Sequence, residues 1–186
     1  MLAMGAMRVF LATLLFVGLV RARSDGAPTA ACESMTPQHG VGAQNDTSPY
    51  ILEAVQEGEV VHVTIKAEAD DSFKGFFLQA RDENDDAIGT FEIDTSMAKI
   101  ISCPENSSGN ENAVTHTSSA DKTEIMAMWT PPGGNARNIT FTLTTVSEKE
   151  TFWVKQTLEF SMNAATTVSQ SILTFACVLV LSQLFR

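Results

Sequence analysis

Between residues 50 and 160, one stretch after another places apolar side chains at every second position. A period of two marks a strand with one face on a core, whereas a helix repeats at 3.6. Val61, Val63, Ile65 and Ala67 alternate with His62, Thr64 and Lys66. Ile125, Ala127 and Trp129 alternate with Met126 and Met128, and Ile139, Phe141 and Leu143 with Thr140, Thr142 and Thr144. Phe76, Leu78 and Ala80 alternate with Phe77, Gln79 and Arg81, and Phe152 and Val154 with Trp153 and Lys155. Shorter β stretches fall at 87–93, 99–103 and 112–117. Between them lie turn-forming runs at 70–71, 82–86, 104–110, 131–135 and 147–150, rich in Asp, Asn, Gly, Pro and Ser. Roughly eight such strands predict an all-β domain built as a two-sheet sandwich, large enough to fold alone. Residues 23–49, rich in Gly, Pro, Ala, Ser and Thr, read as an irregular lead-in.

The two ends have a different character. No acidic residue precedes Asp25 or follows Glu159. Residues 1–22 have the layout of a secretory signal peptide: Arg8, then an apolar stretch at 9–20 too short for a comfortable bilayer span. Val20 and Ala22 suit cleavage after Ala22. At the other end, residues 161–165 include small side chains, 166–171 are mostly polar, and 172–181 are strongly apolar. These are the ingredients of a glycolipid (GPI) attachment signal, with Asn163 the expected attachment residue and Ser161 and Ala164 its neighbours in suitability. A single spanning helix and a secreted chain that keeps its apolar tail are the alternatives. The expected division is a signal peptide at 1–22, a β domain at 23–160 and a spacer with hydrophobic tail at 161–186.

Charge and cysteine usage fit export. The whole chain carries −10, but residues 23–163 hold nine basic against 22 acidic side chains, a net of −13. A nucleic-acid binder needs a cationic face, so that class is excluded, and heparin and anionic lipid are disfavoured. Of three cysteines, Cys177 lies in the apolar tail, so removal of the tail leaves Cys32 and Cys103 as the one available pair. Three N-x-Ser/Thr acceptors stand at Asn45, Asn106 and Asn138, each a surface glycan site in an exported chain.

Several residues, taken in order, resemble the reeler-domain family. The opening Gly26-Ala-Pro-Thr-Ala-Ala-Cys-Glu-Ser-Met-Thr-Pro-Gln-His-Gly40 and Ser48-Pro-Tyr50 are similar to the start of such a domain. Phe73-Lys-Gly-Phe-Phe-Leu-Gln-Ala-Arg81 resembles its central strand. Gly89-Thr-Phe91, Cys103, Ala113-Val-Thr-His-Thr117, Lys122 and Trp129-Thr-Pro131 follow in the family's order. The resemblance implies an immunoglobulin-like sandwich with Cys32–Cys103 as its bridge. In the family, reeler domains open reelin and F-spondin and precede haem-binding regions in ferric-chelate reductase-like proteins. A single-domain form is found among small invertebrate proteins linked to innate immunity and antibacterial defence. The sequence shows no multi-helix haem region, so the resemblance does not extend to reductase activity.

Chemistry-bearing residues give little sign of catalysis. Asp82, Glu83, Asp85 and Asp86 are clustered carboxylates, but they lack the ligand order of an EF-hand and read as a solvated hairpin turn. His116 lies between Thr115 and Thr117, whose side chains should point to the other face of a strand, so it reads as a hydrogen-bonding residue rather than a base. His39 reads as a turn residue, Met126 and Met128 as gap fillers, and Trp129, Phe76, Phe141 and Trp153 as packing. Phe73 and Phe77 are candidates for an exposed apolar binding edge. The expectation is a non-enzymatic extracellular or cell-surface protein with no cofactor or metal, acting in innate defence by binding an unidentified extracellular or microbial-surface ligand. The alternative is a matrix or adhesion module that binds glycans or proteins.

Overall fold

The computed structural model describes residues 23–68, 70–104, 111–134 and 138–163. The expected signal peptide, Asn106 and the apolar tail lie outside the described residues. The strands are β1 (Ile51–Glu57), β2 (Val60–Lys66), β3 (Gly75–Arg81), β4 (Thr90–Ile93), β5 (Ala98–Ile101), β6 (Ala113–His116), β7 (Glu124–Thr130), β8 (Asn138–Glu148) and β9 (Thr151–Ser161). They pair antiparallel in two sheets, one ordered β1-β2-β7-β4 and the other β5-β6-β3-β8-β9. This is the sandwich that the period of two predicts.

The inward sets of the alternation meet between the sheets. Val61, Val63 and Ile65 on β2 and Ile125, Ala127 and Trp129 on β7 pack with Phe76, Leu78 and Ala80 on β3 and Ile139, Phe141 and Leu143 on β8. Each fully buried large apolar side chain contributes about 1.5–3 kcal/mol. Trp129 stands edge-on to Phe141 with ring centroids 5.6 Å apart, and its indole N–H donates to the Ile88 carbonyl at 2.9 Å. Gly89 is required beside it. Its φ is +74°, and a Cβ there would run into the indole and come 2.5 Å from the Thr130 carbonyl oxygen.

The outer face of the five-stranded sheet departs from simple alternation. All seven residues of β3 are buried. Phe77 is 4 % exposed and Phe73 fully buried, so the expected exposed aromatic edge is absent. The lead-in lies across this face. Cys32, Met35, Phe77, Ala87, Cys103 and Ala113 form a second small apolar cluster, closed by the Cys32–Cys103 disulfide. Met126, by contrast, is exposed on the outer face of the other sheet rather than filling a gap. Strand β9 also breaks step. Thr145 pairs with Trp153 but Leu143 pairs with Gln156, a bulge that leaves Val154 and Lys155 opposite Thr144. Lys155 has φ +54° there, and Trp153 takes the inward phase against Tyr50 while Phe152 faces the lead-in against His39.

Candidate binding groove

Polar residues on the outer face of the five-stranded sheet hold the lead-in down. Thr115 accepts the Ala27 N–H at 2.9 Å and donates to the Phe76 carbonyl at 2.8 Å. Thr144 donates to the Met35 carbonyl at 2.9 Å. Arg81, 2 % exposed, donates to the Cys32 carbonyl at 2.6 Å and pairs with Asp85 at 2.8 Å, while Gln79 accepts from its Nε and Nη2. At the entrance Gly26 has φ +104°, and a Cβ there would collide with the His116 carbonyl. The lead-in therefore approaches the sheet backbone too closely for any side chain at that position.

Between lead-in and sheet a groove remains. Its inner part is a slot of about 150 Å³ lined by Ala27, Pro28, Ala31, Met35, Phe77 and Val146, among others. At the slot's mouth lies a wider cleft of about 400 Å³. Ser24, Lys74, Ser119, Glu148 and Lys149 line it, and Arg23, His39, His116 and Val146 border both parts. Lys74 is paired with Glu148, whose carboxylate holds the ammonium in its charged form.

His116 is half-buried at the end of β6, its ring over Gly75. Its Nδ1 lies 3.2 Å from both the amide nitrogen and the carbonyl oxygen of Phe76. Burial pushes its pKa below the usual histidine value; the backbone of Phe76 and Arg23 opposes this, and Lys122 and Lys99 add to it. Because the strand ends here, the Thr115 hydroxyl reaches within 3.3 Å of Nδ1, although consecutive strand residues face apart. That hydroxyl is already committed to two backbone partners, so the pair is a structural link and not an activated nucleophile.

The expected site residues fall as follows. Cys32 and Cys103 are bonded. Asn45 is exposed in the lead-in and Asn138 exposed at the start of β8. Asn163 is exposed two residues beyond β9, its backbone held by Gln56 through bonds of 2.9 and 3.0 Å. Asp82 caps its own turn by accepting the amides of Asn84 and Asp86, which is the solvated-turn reading. Among the described residues no three or more His, Cys, Asp or Glu side chains form a metal-ligand group. Sequence reasoning gave no role to the groove-lining Arg23, Lys74 and Lys149, nor to Lys122, which it used only as a mark of the family. That buried ammonium donates to the Lys74, Ser118 and Ala120 carbonyls at 2.6–3.0 Å and fixes the loop beside the cleft. They stand in the lead-in (Arg23), just before β3 and β7 (Lys74 and Lys122) and in the β8–β9 turn (Lys149), segments that only the folded chain brings together, so no local sequence pattern marks them.

Comparison with known proteins places this arrangement. The family model described as the reeler domain matches residues 30–169, most of the chain. The chain belongs to the reeler family. Defense protein l(2)34Fc of Drosophila melanogaster is 34% identical over 142 residues, covering 73% of this chain and 85% of that one. A Bombyx mori relative, also named for defence, is 36% identical over 143 residues, with 72% and 81% covered. Ferric-chelate reductase 1 of Bos taurus is 34% identical over 149 residues, but the reeler chain spans only 24% of its length. The crystal structure of the human F-spondin reeler domain superimposes with a TM-score of 0.52 at 21% identity. It covers 66% of this chain and 95% of that one, and at this identity the likeness speaks to the fold. Among the described residues no helix is long and apolar enough to cross a membrane.

Proposed function

We infer that this reeler-domain protein is non-enzymatic and extracellular, and that it acts in innate antibacterial defence by binding a ligand of the microbial surface. The observation that carries this reading is how much of each relative is matched. The match runs along 81–89% of the defence-named relatives but about a quarter of the reductases, so with the latter only one domain is shared. The Cys32–Cys103 bridge suits an oxidising compartment. A groove on a rigid sheet, with no nucleophile–base pair in it, suits binding rather than turnover. Exposure of Asn45 and Asn138 supports glycan attachment at both, and exposure of Asn163 beyond β9 supports glycolipid attachment there.

The deciding experiment is co-sedimentation of the purified protein with whole bacteria, alongside growth curves. Saturable binding or slowed growth supports the defence reading. No binding and no growth effect on any species tested overturns it. Capture of glycans or proteins from extracellular matrix in the same preparation would favour an adhesion module instead. Release from intact cells by a glycolipid-specific phospholipase tests the anchor; a retained Arg186 on the mature protein would refute it.

A further inference from the structure

The groove sets two unlike environments side by side. Its slot is walled mostly by apolar groups such as Ala27, Pro28, Met35 and Phe77, with Arg23, His39 and His116 where it meets the mouth. An apolar cavity of about 150 Å³ takes a benzene-sized group. The mouth is the reverse of the rest of the molecule in charge. Three of the nine cationic side chains of residues 23–163 line it, against one of the 22 carboxylates. Lys74 is occupied by Glu148, while Arg23 and Lys149 are exposed and make no ion pair among the described residues. Free cations at the mouth of an apolar slot are complementary to an anion that carries an apolar tail.

We propose that the groove binds a small amphipathic monoanion, with a carboxylate head at Arg23 and Lys149 and a short acyl or aromatic tail in the slot. The planar fork of Arg23 suits a carboxylate, which it can grip with two parallel N–H bonds. Glu148, beside the same cleft, opposes a second negative charge on the head. The slot limits the tail to about six to eight carbons. This site rests on the reading of the chain as a binding protein, but not on its place in immunity.

The test is octanoate titrated into the protein as a eukaryotic host exports it, purified without detergent, followed by calorimetry and amide NMR shifts. Octanoate is expected to bind and to move the amides of residues 26–39 and 75–77. Acetate lacks the tail and octanol lacks the charge, so each should bind about tenfold more weakly. Lys149→Glu, an exposed change, should weaken octanoate about fivefold and leave the unfolding temperature unchanged. Ala31→Phe fills the slot and should abolish binding; should it fail to fold, the shift map and Lys149→Glu decide alone. Equal affinity for octanoate and octanol, shifts confined to another face, or unchanged binding in Lys149→Glu overturns the proposal. Tighter binding of octyl phosphate than of octanoate overturns the monoanionic head. Bacterial binding that persists without octanoate binding would sink this site and leave the proposed function standing, and the converse would do the opposite.

Discussion

At Arg81 a guanidinium that alternation alone would send to solvent is enclosed and fully employed. It serves the carbonyls of Cys32 and Asp85, the Gln79 amide oxygen and the Asp85 carboxylate. Arg81→Met keeps the stem packing but leaves those acceptors without a donor, and should cost about 3 kcal/mol in denaturant unfolding. Arg81→Lys should lose nearly as much, because one ammonium cannot reach partners spread around a fork. The strand was legible from Phe76, Leu78 and Ala80; the cover over Arg81 was not, because local periodicity reports orientation and not what a distant segment lays on top. His116 gives a second residue-scale prediction. Its pKa is lowered in the folded protein, chiefly by burial. Below about 6.5 the unfolded chain therefore takes up a proton that the folded one refuses. Stability is fully present above that value and falls as the pH drops through it. Unfolding midpoints should decline as the pH falls below about 6.5, and His116→Gln should flatten that slope. An unchanged slope in the variant would remove His116 as its source.

Among the elements, the lead-in depends most on a covalent tie. Residues 23–49 contain only a 3-10 turn at Thr29–Ala31 and no strand. Their hold on the sheet combines the disulfide, the Arg81 fork and the threonine contacts with the His39–Phe152 packing and the Gln44 N–H donated to the Phe152 carbonyl at 2.9 Å. The bridge closes a loop of 71 residues. Removing it by Cys32→Ala with Cys103→Ala should cost up to about 4 kcal/mol by the chain-entropy account. Hydrogen exchange should rise first at residues 26–40, with the core of β3 and β8 still protected; uniform loss of protection would show that the lead-in is part of the main cooperative unit. The bulge in β9 is a case where the pattern misleads. Phe152 and Val154 look like one face, but the extra residue at Val154–Lys155 shifts the phase so that Trp153, Gln156, Leu158 and Phe160 follow the inner register. Nothing local in the sequence marks the bulge, because Lys155 adopts its positive φ without a glycine to announce it.

On the scale of the molecule, charge decides which anions can approach. Summing the sequence gives −13 for residues 23–163, a sum that hides the cleft, since Arg23, Lys74 and Lys149 converge only on folding. The two facts act over different distances. A long polyanion such as heparin feels the whole acidic surface, and it needs a track of cations longer than one cleft. With Lys74 taken by Glu148, Arg23 and Lys149 are the cleft's free cations, too few to form a track for a polyanion. A short anion needs one pairing and an apolar slot, and it lies inside the cleft rather than across the surface. The protein should therefore pass through a heparin column without retention at about 0.15 M salt, the physiological ionic strength. Glu148→Gln releases Lys74 and should strengthen binding of a small carboxylate while still giving no heparin retention. Retention of the unaltered protein would mean that local cationic convergence outweighs net charge here, and the exclusion of polyanionic partners would fall with it.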